Sequence, residues 1–164
     1  YVVRAEKEEY DPAEVTLRTD NEIGRTIGRD LYLNPPVKIE VGDDLALTLD
    51  LNPIYFDLDK DFIRPDAAAE LEKVVAVMRQ FPNLKIDVRS HTDSRASDSY
   101  NLTLSKRRNA STIDYIIRQG ILQSRLTGDG YGETRLTNRC SNGVPCSEEE
   151  HQLNRRSEFI VVEK

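Results

Sequence analysis

The apolar positions are most regular in the second half of the chain. After Pro65-Asp66 they recur at helical spacing as far as Phe81-Pro82-Asn83, which predicts a helix with one buried stripe. The stripe consists of Ala67, Leu71, Val74, Val75 and Met78. From Leu84 to Arg89 apolar and charged residues alternate, which predicts a strand with one buried face.

A second helix is predicted from Ser97 or Asp98 to Gln119, because a capping residue precedes it and Gly120 ends it. Its buried stripe is expected to consist of Ala110, Ile113 and Ile117. Three shorter elements follow: a strand within Arg125–Gly132, a helix over Ser147–Asn154 that is capped by Ser147, and a final strand over Glu158–Val162.

Before Pro65 the pattern is weaker. Ala46–Leu51 and Ile54–Asp57 are predicted to be extended, with Asn52-Pro53 as a break between them. The resulting element order is β-α-β-α-β-(α)-β. It predicts an α+β domain over residues 46–164, in which helices pack on one face of a small mixed sheet.

Residues 1–45 carry only two candidate strands, Val15–Arg18 and Val37–Val41. We expect this segment to be a connector or the tail of a preceding domain. The chain starts at Tyr1 without a methionine and has charged residues close behind. We therefore expect it to be a piece of a longer or processed protein.

Composition narrows the class of partner. The 164 residues are 38% hydrophobic and 32% charged, which is typical of a folded domain with a well-solvated surface. The formal net charge is −6, whereas binding to nucleic acid needs clustered positive charge. No apolar run is long enough to predict a membrane-spanning helix.

The two cysteines, Cys140 and Cys146, flank a short segment that contains Gly143 and Pro145. Such a segment can turn back on itself, so a disulfide is the favoured interpretation and would imply an oxidising compartment. Free thiols and a metal site remain alternatives. A metal site would need further ligands close by, and only His151 lies near the two cysteines in the sequence.

The candidate ligand-binding residues lie in and after the segment that begins at Ser90. Asp93 follows the predicted strand, and Asn101, Ser105 and Arg108 are spaced to share one face of the next helix, with Arg107 pointing about 100° away from Arg108. A carboxylate and a guanidinium around one pocket suit a zwitterion, since aspartate accepts from an ammonium and arginine grips a carboxylate. The alternative is that Asp93 and Arg108 simply form an ion pair with each other.

Four spaced motifs carry a resemblance to a known family. They are Tyr55-Phe56-Asp57, the run from His91-Thr92-Asp93 to Arg108, Gly130-Tyr131-Gly132-Glu133, and Asn154-Arg155-Arg156 with Glu158. Over roughly residues 50–164 the chain resembles the OmpA-like C-terminal domain family, the peptidoglycan-binding module of Gram-negative outer-membrane proteins. The resemblance implies a periplasmic domain with no enzymatic activity and no cofactor, attached to the outer membrane through parts of the protein outside this chain.

The same resemblance implies roles for single residues. Asp93 and Arg108 would hold the free amino-acid end of meso-diaminopimelate in the wall peptide. The other residues implied in ligand binding are Asn101, Thr92 through its backbone, Phe56, Asp57, Arg155 and Arg156, with Arg156 as the closing arginine that reaches the ligand. The expected partners are peptidoglycan and, through upstream domains, other envelope proteins.

The chain departs from the family pattern at two positions. Ser90 and Ala96 stand where glycine is common, and so the loop Ser94–Asp98 is expected to take its own path. This departure keeps open a protein-interaction module that has the fold without wall binding.

A peptidoglycan hydrolase is the weaker alternative, because adjacent Ser90 and His91 on a strand point to opposite faces. The run from Asp57 to Asp61 imitates a calcium loop but has Phe62 and Ala68 where glycine and glutamate are needed. No metal site is therefore expected.

Overall fold

The computed structural model describes residues 1–8, 12–18, 31, 38–54, 56 and 60–164. The chain divides into two compact units, Tyr1–Lys38 and Ile39–Lys164. In the first unit β1 (Val2–Ala5) pairs antiparallel with β2 (Ala13–Thr16). The sequence pattern predicted a strand near β2, at Val15–Arg18, but none at β1.

The second unit holds the remaining helices and strands. These are α1 (Leu45–Thr48), α2 (Pro65–Gln80), β3 (Lys85–Ser90), α3 (Asp98–Arg118), a 3-10 turn at Gln123–Arg125, β4 (Leu126–Gly130), α4 (Glu148–Asn154) and β5 (Ser157–Glu163). The strands form one mixed sheet in the order β4-β3-β5, with β3 parallel to β4 and antiparallel to β5. The predicted α+β class with a small mixed sheet is confirmed.

The core forms where the predicted stripes meet. All five apolar residues of the α2 stripe are buried. On β3, Ile86 and Val88 are fully buried while Asp87 and Arg89 on the other face are half-buried. The strand β5 adds Phe159 and Val161 to the same unit's core. Local periodicity was therefore a sound guide to these elements.

The prediction of an extended segment over Ala46–Leu51 is wrong. Asp44 caps a short helix instead, because its carboxylate accepts from the backbone N of Ala46 at 2.9 Å. The alternation of apolar residues had favoured a strand, but only Leu45 is fully buried there. Of the second predicted strand, Ile54 and Phe56 lie outside any strand, and Tyr55 and Asp57 fall outside the described residues.

The predicted buried stripe of α3 is also wrong. Ala110 is exposed, and Ile113 and Ile117 are only half-buried. The helix instead buries a face that is rich in polar residues: Asn101, Leu104, Ser105, Arg108, Asn109, Thr112 and Ile116. That face is tolerated because its polar groups are bonded: the Asn109 amide, for example, donates to the carbonyl of Val88 at 2.7 Å.

The second unit starts at Ile39, before the boundary of 45/46 expected from the sequence. Gly42 and Asp43 exchange backbone hydrogen bonds with Val161, and Asp44 forms a bridge with Ile160. The segment therefore covers the outer edge of β5. Over the ranges that the structure describes, no helix has the length and apolar character to cross a bilayer.

Candidate functional site

A cavity of about 490 Å³ lies beside the loop that follows β3. Its walls come from that loop, from the first turns of α3 and from the junction between α4 and β5. Both Asp93 and Arg108 line it, and each is only 8% exposed. A concave site of this size is typical of small-ligand pockets.

Asp93 is held by two arginines. Its Oδ2 accepts from Nη2 of Arg95 at 2.8 Å and from Nη1 of Arg155 at 2.6 Å. Burial alone would raise the pKa of this carboxyl, but the hydrogen bonds from Arg95 and Arg155 hold the pKa below its usual value. Asp93 is therefore ionised at neutral pH. Within the part of the chain that the structure describes, its ion pairs are with these two arginines and not with Arg108.

Arg108 lies against the aromatic ring of Phe56. Its guanidinium carbon is 4.8 Å from the ring centroid, and its Nε donates to the carbonyl of Lys60 at 3.3 Å. The neighbouring Arg107 has an exposed side chain that lies 3.7 Å from a carboxylate oxygen of Asp61. The helix therefore presents Arg108 and not Arg107 to the cavity, as the helical phase predicted.

Asn101 connects the loop to the helix. Its side-chain amide donates to the carbonyls of Asp93 at 3.0 Å and Ala96 at 3.4 Å, and also to the carboxylate of Glu133. Because all three bonds are internal, the amide nitrogen fixes the path of the loop.

The backbone at Thr92 is also part of the scaffold. Its N–H donates to the carbonyl of Gly132 at 2.9 Å, and the N–H of His91 donates to the carbonyl of Arg156. The His91 ring stacks on Tyr131 with centroids 5.6 Å apart, and its Nε2 lies 3.5 Å from Glu158. Burial, with a further contribution from Arg156, lowers the pKa of His91 to about 4, so the ring is neutral at neutral pH.

The two closing arginines line the cavity but have different partners. Arg155 reaches Asp93, and its Nη2 also bonds Glu148 at 2.6 Å and the side chain of Gln152. Arg156 donates from Nη2 to Glu158 at 2.6 Å and to the carbonyl of Arg135 at 3.1 Å. The contacts therefore connect Arg155 more closely to the Asp93 carboxylate than Arg156.

Two further residues complete this charged cluster, and sequence reasoning missed both. Arg95 bonds Asp93 and also donates from Nη1 to Glu148 at 2.7 Å. Glu148 lies in the first turn of α4. The capping residue Ser147 allowed this helix to be predicted from the sequence, but the sequence did not indicate which residues of other elements Glu148 contacts. Asp57, expected on the pocket wall, falls outside the described residues.

Cys140 and Cys146 form the predicted disulfide, with their Cα atoms 5.9 Å apart. The carbonyl of Cys140 accepts from Oγ of Ser94 at 2.5 Å. The disulfide loop is therefore attached to the loop that carries Asp93. Since both sulfurs are in the disulfide, neither cysteine has a thiolate to offer a metal ion.

Comparison with known proteins follows the same part of the chain. The OmpA family model matches residues 55–149. A peptidoglycan-associated lipoprotein of Mesorhizobium japonicum is 32% identical over 114 residues, which cover 69% of this chain and 68% of that protein. The peptidoglycan-associated lipoprotein of Rhizobium meliloti is 35% identical over 89 residues, or 54% of this chain and 51% of that protein.

Among solved structures, the peptidoglycan-associated lipoprotein from Burkholderia pseudomallei has a TM-score of 0.60 at 20% identity, covering 69% of this chain and 92% of that one. This likeness concerns the fold. The chain spans about half the length of the Rhizobium relative that it matches, and a smaller share of some others.

Proposed function

We infer the function from one premise, which is that this chain belongs to the OmpA family. We propose that residues 39–164 form a domain that binds peptidoglycan without a covalent bond and catalyses no reaction. The domain would anchor an outer-membrane or envelope protein to the cell wall from the periplasm. The segment before Ile39 would connect it to other parts of that protein.

The proposal depends on one observation: a buried carboxylate and a buried guanidinium line the same cavity. In the proposed complex Asp93 accepts from the ammonium of meso-diaminopimelate. Arg108 donates to the carboxylate of the same amino-acid end, and its contact with Phe56 keeps the guanidinium plane in a fixed orientation. Opposite charges held in place in this way select a zwitterion over a simple amine or acid.

Arg155 has a supporting part in this proposal. Because its side chain bonds Asp93, Glu148 and Gln152 together, it holds the Asp93 carboxylate in position and keeps it ionised. Arg156 then belongs to the wall of the cavity through its bonds to Glu158 and Arg135. Both arginines are internal parts of the site, with Arg155 nearer the ligand's ammonium.

A modest affinity per site is sufficient for anchoring. Peptidoglycan repeats the same stem peptide many times, and the proteins of an envelope are present in many copies. Effective concentration then raises the strength of attachment well above that of one pocket. Release of the wall fragment stays fast at each single site.

The direct test is capture by purified sacculi. We expect the wild-type protein to sediment with walls that contain meso-diaminopimelate. Walls with lysine in that position should capture less, because lysine lacks the second carboxylate that Arg108 would hold. Equal capture by both kinds of wall would contradict the role proposed for the guanidinium.

A matched pair of variants tests the assignment of residues. Arg108→Ala should lose most of the binding, roughly tenfold or more, because a buried charge-assisted contact is removed. Arg107→Ala removes the same charge from the adjacent helical position, where the side chain is exposed, and should bind almost as well as wild type. Equal losses in both variants would reject the proposed site.

One observation favours a second candidate, a protein-interaction module that no longer binds the wall. The Asp93 carboxylate is already neutralised by Arg95 and Arg155, so its charge is satisfied inside the protein. Under this alternative, wild-type protein would remain in the supernatant with both kinds of wall. Asp93→Ala would then have no effect on sedimentation.

A further inference from the structure

Arg95 occupies the place where the ligand's ammonium is proposed to bind. Its Nε and Nη2 donate to Oδ2 of Asp93 at 3.2 and 2.8 Å, and its backbone N donates to Oδ1 at 3.2 Å. Arg155 donates to the same Oδ2. With three N–H donors on one oxygen, no acceptor site remains on Oδ2 for a further cation.

The two arginines are not equally fixed. The side chain of Arg95 is 50% exposed, whereas that of Arg155 is 23% exposed. Arg155 extends from the end of α4 and is held by three acceptors on two elements. Arg95 stands at the mouth of the cavity and is the one that can leave Asp93 without opening the core.

Glu148 offers Arg95 a second anion at the cavity mouth. Nη1 of Arg95 already donates to Oε2 of Glu148 at 2.7 Å, and the Glu148 side chain is 60% exposed. A guanidinium that leaves Asp93 can therefore keep this ion pair. The cluster contains two positive side chains and two negative ones, which are Arg95, Arg155, Asp93 and Glu148. An incoming ammonium would replace one of the two positive charges at Asp93.

We propose that Arg95 competes with the ligand's ammonium for Asp93 and, when the wall peptide binds, leaves Asp93 and shifts fully onto Glu148, with which it is already paired. This inference rests on the proposed function. Arg95 thus limits the affinity of the site, because each binding event breaks its bonds to Asp93. Arg155 and Arg108 remain in place throughout the exchange.

The test is a titration of free meso-diaminopimelate into the purified chain, followed by calorimetry at one salt concentration. Arg95→Met keeps an unbranched side chain but removes the competing charge. We expect its Kd to fall by roughly twofold to fivefold, the range of a partly exposed ion pair. Unchanged or weaker binding would overturn the proposal, and weaker binding would mean that Arg95 contacts the ligand directly.

Arg139→Met is the matched control. It removes the same charge from the same unit, but the Arg139 side chain is 75% exposed and its ion pair is with Glu150, at 3.8 Å, and not with Asp93. Its Kd should equal that of wild type. Tighter binding by both variants would be an effect of net charge and would contradict the proposed competition for Asp93. Equal thermal midpoints would exclude a change of fold as the cause.

A double-mutant cycle tests the transfer to Glu148. Glu148→Gln removes the anion that receives Arg95, so it should weaken binding when Arg95 is present. In the Arg95→Met background the same change should matter much less. If Glu148→Gln changes the Kd equally in both backgrounds, its effect comes from the bond between Arg155 and Glu148, and the proposed shift of Arg95 onto Glu148 is wrong.

The outcome also separates this inference from the proposed function. If the wild-type chain binds meso-diaminopimelate and Arg95→Met does not bind it more tightly, only the role of Arg95 is wrong. If neither protein binds the ligand, both the proposed function and this inference fail.

Discussion

At the scale of single residues, His91 shows how the site is built into the interior. The residue is 2% exposed, its ring stacks on Tyr131, and its Nε2 lies 3.5 Å from Glu158. Burial disfavours the imidazolium, and Arg156 disfavours it further, while Glu158 acts in the opposite direction. The folded protein therefore keeps a neutral histidine next to the loop that carries Asp93.

This environment predicts a pH dependence of stability. The pKa of His91 is about 4 in the folded protein against 6.5 in the unfolded chain. Between those values only the unfolded chain gains a proton, so the free energy of unfolding falls as the pH falls. From pH 7 to pH 5 the loss due to this group is up to about 2 kcal/mol.

Urea unfolding at several pH values measures the effect. His91→Gln keeps a polar side chain without a titrating group in this range, so its unfolding free energy should fall less between pH 7 and pH 5. The difference between the two proteins isolates His91 from the carboxylates. Parallel curves would show that the histidine is protonated as readily in the folded protein as in the unfolded chain.

At the scale of elements, α3 and β4 approach each other through glycine. A Cβ at Gly130 would lie 2.1 Å from the backbone N of Lys106 in α3. One at Gly128 would lie 3.1 Å from Oδ1 of Asn109 in α3 and 2.2 Å from the carbonyl oxygen of Val88 in β3. Backbone atoms cannot move aside as a flexible side chain can. The close approach brings Ser105 next to the turn that follows β4, where its Oγ accepts from the backbone N of Gly132 at 2.8 Å.

Gly130→Ala should therefore destabilise the domain strongly, by about 3 kcal/mol or more, since the helix must move off the sheet. Gly143→Ala is the control: its Cβ would meet nothing within 4 Å, although its φ of +81° carries a conformational cost of about 1 kcal/mol. Chemical unfolding of the two variants gives both values. A similar loss in each would argue against the tight contact.

The disulfide loop is the second element with a measurable contribution. Because the bond closes a loop with a sequence separation of 6, its removal in Cys146→Ser should lower the free energy of unfolding by about 2 kcal/mol. A reducing agent should produce the same loss in wild type and none in the variant. If reduction leaves wild-type stability unchanged, the bond does not constrain the unfolded chain.

At the scale of the whole molecule, the second unit includes a segment that the sequence pattern assigned elsewhere. Ile39 and Leu45 are at most 1% exposed, and the Asp44 carboxylate accepts from Phe159 N at 2.8 Å. These contacts belong to the core around β5. We therefore propose Ile39 as the start of the folding unit.

Two fragments test this boundary. Residues 39–164 should fold cooperatively. The free energy of unfolding of residues 46–164 should be lower by about 3–6 kcal/mol, because this fragment lacks the two large apolar side chains of Ile39 and Leu45 that are buried in the longer one. Circular dichroism and urea unfolding of each fragment provide the comparison. Equal stability of the two fragments would return the boundary to residue 46.

What the sequence determined by itself was local. The stripe of α2, the alternation along β3, the cap of α4 and the placing of Arg108 rather than Arg107 at the cavity follow from repeat geometry over neighbouring residues. The same geometry misled at α1, where a cap outweighed alternation. It also misled at α3, whose buried face is polar because hydrogen bonds to other elements satisfy it.

Only the tertiary structure decided which charges meet. Arg95 lies 53 residues from Glu148 along the chain, and Asp93 lies 62 residues from Arg155, yet all four form one cluster. Spacing carries no information about such pairs, because they form only when the loop after β3 and both ends of α4 reach the same cavity. The competition for Asp93 is therefore a property of the folded chain.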